Sequence, residues 1–344
     1  MKVGIVGASG YTGQELLRIL IRHPNVEVTC ATSERFAGSA IGAIFPSFRG
    51  ISDLSFRKLS VEEIAREADF IFTALPHGTA MDVVAQCIKK GKRVVDLSAD
   101  FRLKDEALYE RWYGKHSCPE LLSEAVYGLT ELYREKIKKA QLVANPGCYP
   151  TSSILALAPL LEAEVIVPSG IVIDAKSGVS GAGRGLAFTN LFCEAAEGLQ
   201  AYKVAQHRHA PEIAQELSAC AGNPITVLFV PHLIPINRGI LSTIYARPVG
   251  AISTVEAAGV YQRRYGAEPF VRLCHPGTFP STREVRGSNY CDLGVMVDDT
   301  SGQLIAISAI DNLVKGAAGQ AVQNMNIMSG FSETKGLTQI PLAP

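Results

Sequence analysis

Three glycines at a fixed spacing, Gly7, Gly10 and Gly13, separate a short apolar run at residues 2–6 from a helical apolar pattern at Leu16, Leu17, Leu20 and Ile21. Nothing else in the chain limits its fold as strongly. A strand running through Gly-x-x-Gly-x-x-Gly into a helix makes a dinucleotide-binding turn, with one residue more between its first two glycines than the commoner Gly-x-Gly-x-x-Gly form. Gly7 permits the tight turn, Gly10 lets the backbone approach a pyrophosphate, and Gly13 lets helix pack on strand. Further strands are predicted over 26–31, 70–74, 93–97 and 142–144, and helices over 14–22 and 81–90. Strand–helix alternation of this kind implies a parallel sheet covered on both faces.

After Cys148 the rhythm changes. Longer strands are predicted over 165–175, 226–231, 240–247 and 305–310, helices over 212–220 and 255–265, and a long C-terminal helix over 312–328. The fold class is therefore α/β: an N-terminal Rossmann-type parallel sheet and an α+β substrate and oligomerisation domain, largely antiparallel, with the C-terminal helix returning to the first domain. At 344 residues the chain suits two domains. The expected divisions are 1–147 for dinucleotide binding, 148–311 for catalysis and oligomerisation, and 312–344 for the C-terminal helix and tail, both packing on the first domain.

Lys+Arg 33 balances Asp+Glu 33, which argues against a nucleic-acid footprint or a polybasic membrane patch. A strand beginning at residue 2 leaves no space for a signal peptide. The longest apolar region, 154–173, is interrupted by Pro159, Glu162, Glu164 and Pro168, so it reads as helix then strand and not as a membrane span. The eight cysteines form no Cys-x-x-Cys pair, so neither a metal site nor a disulfide framework is expected, and a reduced cytoplasmic protein fits.

Ala144-Asn145-Pro146-Gly147-Cys148-Tyr149-Pro150-Thr151 ends an apolar run and opens a helical one predicted over 151–161. A cysteine at that junction faces the positive end of a helix, which favours the thiolate. Burial as a small core residue is the commoner fate of a cysteine; Pro-Gly before it and Pro-Thr after it argue for an exposed elbow. His207-Arg208-His209-Ala210-Pro211-Glu212 offers acid/base candidates ahead of a helix start, and the choice between His207 and His209 stays open. His77, His116, His232 and His275 read as structural. Arg102, in Asp96-Leu97-Ser98-Ala99-Asp100-Phe101-Arg102, is either a bidentate clamp for a substrate phosphate or a salt-bridge partner of Asp100 or Asp105. The glycine-rich stretch 176–185 lacks Gly-Lys-Ser/Thr, so it is not a P-loop. It is either a loop over cofactor and substrate or a long hairpin connection.

The end of the second strand selects the cofactor. An acidic residue there would hold a ribose 2′-hydroxyl, whereas small hydroxyls and an arginine suit a 2′-phosphate. Ser33 and Arg35 favour NADP, with Glu34 expected to point to solvent. A reactive cysteine beside a nicotinamide site suits one reaction class: a thiolate takes an acyl group from an acyl phosphate, and hydride releases the resulting thioester as an aldehyde.

At these residues the chain resembles the N-acetyl-gamma-glutamyl-phosphate reductases, a family of arginine biosynthesis related to the aspartate-semialdehyde dehydrogenases. The resemblance rests on Gly-Ala-Ser-Gly-Tyr-Thr-Gly at 7–13, Asp-Leu-Ser-Ala-Asp-Phe-Arg at 96–102, Tyr-Gly-Leu-Thr-Glu at 127–131 and Asn-Pro-Gly-Cys-Tyr-Pro-Thr at 145–151. Ala-Lys-Ser-Gly-Val-Ser-Gly-Ala-Gly-Arg at 175–184, His-Arg-His-Ala-Pro-Glu-Ile at 207–213 and the run from Asp311 to Gln320 complete it. It spans nearly the whole chain. Gly147 directly before the cysteine, where the aspartate enzymes usually carry Asn, favours the acetylglutamyl family. The resemblance implies Cys148 as nucleophile and His207 or His209 as acid/base. It implies NADP held by Gly7, Ser9, Gly10, Tyr11, Thr12, Gly13, Ser33, Arg35 and Pro76, approached by Ser177, Gly178 and Asn312. An acyl phosphate substrate would meet Arg102, Arg184 and Arg208, in a homo-oligomer, dimer or tetramer. The alternatives are an aspartate-semialdehyde or aminoadipate-type enzyme and, more remotely, a non-catalytic redox sensor.

Overall fold

The computed structural model of the chain describes residues 1–342; residues 343 and 344, the end of the C-terminal stretch 312–344, lie outside the described residues. The chain forms two compact units. The first comprises Met1–Pro146 with Ala317–Thr338, and the second Gly147–Gly316 with the tail from Gln339.

In the first unit, seven strands form one sheet: β1 (Lys2–Val6), β2 (Glu27–Thr32), β3 (Phe56–Arg57), β4 (Phe70–Thr73), β5 (Arg93–Asp96), β6 (Val126–Tyr127) and β7 (Leu142–Ala144). Their order is β3-β2-β1-β4-β5-β7-β6, and every pairing is parallel. Strands in such a sheet are covered on both faces, so they read as apolar runs. All four residues of β4, Phe-Ile-Phe-Thr, are buried. The order reverses between β1 and β4, which puts a ligand crevice outside the carboxyl ends of those two strands. The C-terminal helix (Gly319–Met328) is wholly buried and carries polar residues on several sides. Asn324 donates to the Gly128 carbonyl and to Asn145 Oδ1, and Asn326 to the carbonyls of Glu333 and Lys335, as buried amides must.

The second unit holds another seven-stranded sheet: β8 (Ile171–Gly178), β9 (Gln200–Ala201), β10 (Val227–Ile234), β11 (Ile240–Ala246), β12 (Val271–Leu273), β13 (Cys291–Val297) and β14 (Leu304–Ile310), in the order β12-β13-β14-β11-β8-β10-β9. Two pairings, β8 with β10 and β12 with β13, are parallel, and the rest antiparallel. Side chains alternate along these strands. Ile173, Phe229, Ile244 and Ala306 are buried on one face. On the other, the register lines up Leu228, Val172, Tyr245, Ile305 and Met296 in an apolar row across five strands, and Leu228, Tyr245 and Met296 are exposed.

The helix Cys148–Glu162 is apolar on all sides and buried along almost its whole length. Its Ser152 hydroxyl meets Ser242 of β11 and Ser308 of β14 at 2.8 and 2.5 Å, which pins its second turn to the sheet.

Three expectations need correction. The helix begins at Cys148 with Gly147 as N-cap, not at residue 151. Pro150 falls in its first turn, where a missing N–H costs nothing. The divisions fall at 146/147 and 316/317, because Asp311 and Asn312 are tied to Gly287 and Gly239 of the second unit. The tail from Gln339 belongs to the second unit, where the Leu342 N–H donates to the Arg286 carbonyl at 2.8 Å.

Candidate active site

In the first unit, Gly7 has φ +80°, and a Cβ there would lie 2.5 Å from the Ala74 carbonyl oxygen at the end of β4. The turns after β1 and β4 approach so closely that only glycine fits. A Cβ on Gly13 would lie 2.5 Å from Ala8 Cα, so the first helical turn sits directly on the loop. At Gly10, the N-cap of the helix Tyr11–Leu20, a Cβ would meet nothing, and no side chain caps the helix. Open space at an uncapped helix N-terminus suits a pyrophosphate. Tyr11 and Thr12 follow as the first helical residues. The Gly7 and Ala8 amides are held by Thr32 of β2, through its hydroxyl and its carbonyl.

Beyond β2, the buried Ser33 hydroxyl donates to Ser9 at 2.8 Å. Arg35 is exposed, its guanidinium 5.1 Å from the Phe36 ring centre. Glu34 is exposed as expected, but its carboxylate is occupied: it accepts the Leu59 N–H at 2.9 Å. Pro76, just past β4, begins a tight turn whose carbonyl accepts from Thr79.

His77 and His116 are both bonded to backbone groups of the first unit. His77 Nδ1 accepts the Ala99 N–H, and both nitrogens of His116 are bound, one by the Asp100 carbonyl and one by the Cys118 N–H. Arg102 is buried and donates to the Asn145 and Leu97 carbonyls at 2.8 and 3.0 Å. Asp100 accepts from Gly78, Ala80 and Tyr109, and Asp105 caps the helix Glu106–Tyr113. Arg102 thus braces the turn leading to the cysteine.

In the second unit, Cys148 is the first residue of a 15-residue helix and is half-buried. The helix macrodipole favours an anion at that end. Burial pushes the thiols of Cys87 and Cys274 up to about 11 and that of Cys220 up to about 12. Preceding the cysteine, the Gly147 N–H donates to the buried Glu212 carboxylate at 2.8 Å.

Tyr149 links the cysteine to the distant histidine segment. Its ring meets those of His207, His209 and Phe229 edge-on, with centroids 5.6, 5.9 and 5.2 Å away. Its hydroxyl lies 3.1 Å from that of Tyr202; burial raises both phenols, Tyr202 up to about 12. The two imidazoles stand 4.8 Å apart. His207 Nδ1 accepts the backbone N–H of His209, and burial, aided by Lys203 and Arg208, lowers its pKa to about 4. It is a neutral ring with one nitrogen committed. His209 opens the helix His209–Ala221.

Arg184 and Arg208 are exposed. Ser177 and Gly178 end β8 and are buried; a Cβ on Gly178 would lie 2.8 Å from the Asn237 carbonyl oxygen. Asn312 accepts from the Gly239 N–H and donates to Ser180, so it holds together the loops at the carboxyl end of β8. The sequence reading gave no role to Glu212, Tyr149, Tyr202 or Gly316. Only Glu212 carried a signal, three residues beyond His209 on one helix face.

This two-part pattern is that of the semialdehyde dehydrogenases. Residues 2–140 match the family described as semialdehyde dehydrogenase, NAD binding domain, and residues 148–312 the family described as semialdehyde dehydrogenase, dimerisation domain. The fold is similar to that of aspartate semialdehyde dehydrogenase II from Vibrio cholerae (TM-score 0.73, 18% identity, 96% of this chain and 98% of that one). It is also similar to the Candida albicans aspartate semialdehyde dehydrogenase solved with NADP (TM-score 0.70, 16% identity, 95% and 98%). Much closer in sequence are N-acetyl-gamma-glutamyl-phosphate reductases, at 59% identity in Geobacter metallireducens, 57% in Citrifermentans bemidjiense and 55% in Desulfotalea psychrophila, each over 100% of both chains. The chain belongs to the N-acetyl-gamma-glutamyl-phosphate reductase family. Among the described residues, no helix is long and apolar enough to cross a membrane.

Proposed function

We propose that the chain reduces N-acetyl-L-glutamyl 5-phosphate to N-acetyl-L-glutamate 5-semialdehyde and phosphate with NADPH, in arginine biosynthesis. The observation that carries this reading is the cysteine at a helix N-terminus whose neighbour, Tyr149, packs against two histidines more than fifty residues away. The full-length relatives, named for that reaction, supply the substrate.

The Cys148 thiolate attacks the acyl carbon, the bond from that carbon to the phosphate oxygen breaks, inorganic phosphate leaves, and a thioester remains on sulfur. Bound NADPH supplies the hydride that reduces the thioester carbon. As the carbon–sulfur bond then breaks, the thiolate departs and the carbonyl re-forms as an aldehyde. His209 is the acid/base residue, taking the thiol proton and protonating developing oxyanion charge, because burial lowers His207 to about 4, making it a weak base, and its Nδ1 already accepts a backbone N–H. Glu212 steadies the elbow through Gly147. Arg208, exposed between the histidines, and Arg184 are the phosphate readers. Arg102 acts through the Asn145 turn.

NADP is held by Gly7, Gly10 and Gly13 at the pyrophosphate and by Ser33 and Arg35 at the 2′-phosphate. The apolar row Leu228–Val172–Tyr245–Ile305–Met296 covers itself against a second copy of the chain. Free cysteines throughout fit the cytoplasm. Run in reverse, N-acetylglutamate semialdehyde, phosphate and NADP should yield NADPH at far higher kcat/KM than aspartate semialdehyde does. Preference for the aspartate compound would reject the substrate assignment.

A further inference from the structure

After β14 the chain does not pass straight into the C-terminal helix. Asp311, fully buried, accepts the N–H groups of Leu313 and Val314 at 2.8 and 3.1 Å through Oδ1 and that of Gly287 at 2.7 Å through Oδ2. The Arg238 guanidinium lies 3.5 Å from Oδ2. The Asp311 carbonyl in turn accepts the Gly316 N–H at 2.9 Å, five residues on. That is the wide ring of a π-helix, here Val314–Ala318. Single π-turns are rare and concentrate at functional sites.

This one has a specific result. It sets Gly316 against the nucleophile: a Cβ on Gly316 would lie 2.8 Å from Cys148 Cβ and 3.2 Å from Cys148 Cα. Real Cβ atoms essentially never come within 3.0 Å of another atom. Gly316 has no positive φ to explain a glycine; only the close approach requires one. The obstructed atoms belong to the root of the Cys148 side chain, which cannot swing aside as the end of a long side chain does. Glu212 already fixes the preceding amide, and Ser152 the following turn.

We propose that the Asp311–Gly316 π-turn is a positioning element for the nucleophile, with Gly316 the stop against which the Cys148 Cα–Cβ bond rests. The proposal rests on Cys148 being the nucleophile. Gly316→Ala must displace Cys148 by several tenths of an ångström, and misplacement by about 1 Å costs on the order of 100-fold in rate.

The test uses the full-length chain in the reverse assay. Gly316→Ala should lower kcat by about 10- to 100-fold while KM for semialdehyde, phosphate and NADP stays within about twofold. Alkylation of Cys148 by iodoacetamide should remain stoichiometric. A thermal-unfolding cycle reads the contact itself: Cys148→Gly removes the obstructing Cβ, so Gly316→Ala should cost less stability in that background than in the native one. If Gly316→Ala alone fails to fold and the double variant folds, the contact is supported. Native kcat in Gly316→Ala, additive losses in the cycle, or failure of both variants to fold would overturn the proposal. Full activity in Cys148→Ser would instead overturn the nucleophile reading and leave the cycle standing.

Discussion

Two strand-to-helix junctions, β1 into Tyr11–Leu20 and β7 into Cys148–Glu162, begin with the same backbone problem and solve it in opposite ways. Each ends a parallel strand and enters a helix through a glycine N-cap that offers no side-chain cap. At Gly10 the space beside the helix end is open. At Gly147 it is occupied: a buried carboxylate takes the N-cap amide, a sulfur occupies the first helical position, and Gly316 closes the back. One junction leaves its positive end open, as an anion brought by a ligand would need. The other gives it to the sulfur of Cys148, the nucleophile of the proposed reaction.

The difference predicts unlike responses to small substitutions. At the second junction the largest effect is at His209. His209→Asn should lower kcat by about 10²- to 10⁴-fold, whereas His207→Asn should cost far less; steady-state kinetics decide, and the reverse ranking would exchange the two roles. At the first junction, Gly10→Ala meets no neighbour, so the thermal midpoint should stay near native while KM for NADP rises by about tenfold or more. A lost midpoint with unchanged KM would show that Gly10 shapes the fold and not the ligand site. Arg35→Ala should shrink the NADP-over-NAD preference by about tenfold, and an unchanged ratio would reject Arg35 as the 2′-phosphate reader.

The smallest expected effect is on pH stability. His207 has a folded pKa of about 4 against an ordinary 6.5. Unfolded chain therefore takes up a proton below about 6.5 that folded chain refuses, and stability from this residue falls as pH drops from there towards 4. Thermal midpoints of His207→Gln should decline less over that window than native ones.

The first junction was legible in the sequence because Gly7 and Gly13 answer local requirements of turn and packing. The cysteine and the His207–His209 motif were legible as residue types. The backbone amide that donates to the His207 imidazole, on which the proposed choice of His209 rests, was not. Two predicted elements were too continuous. The strand drawn over 165–175 breaks at Gly170, whose φ is +70°, leaving Ile166 in a separate bridge with Pro248. The helix drawn over 312–328 opens with the π-turn, because Asp311 bonds its amides locally. Strand β13 went unread because Asp292 and Gly294 interrupt its apolar run; Asp292 is paired with Arg272 at 2.7 Å. Gly316 is invisible to periodicity, since its reason is a residue far away in the chain.

The central claim is covalent catalysis at Cys148. It is tested most directly by mixing enzyme, N-acetylglutamate semialdehyde and NADP without phosphate and following NADPH in a stopped-flow instrument. The account predicts a burst of one NADPH per active site, an acyl adduct on the Cys148 peptide by mass spectrometry, release of that adduct when phosphate is added, and neither burst nor adduct in Cys148→Ser. No burst from the native enzyme, or an equal burst from Cys148→Ser, would contradict it.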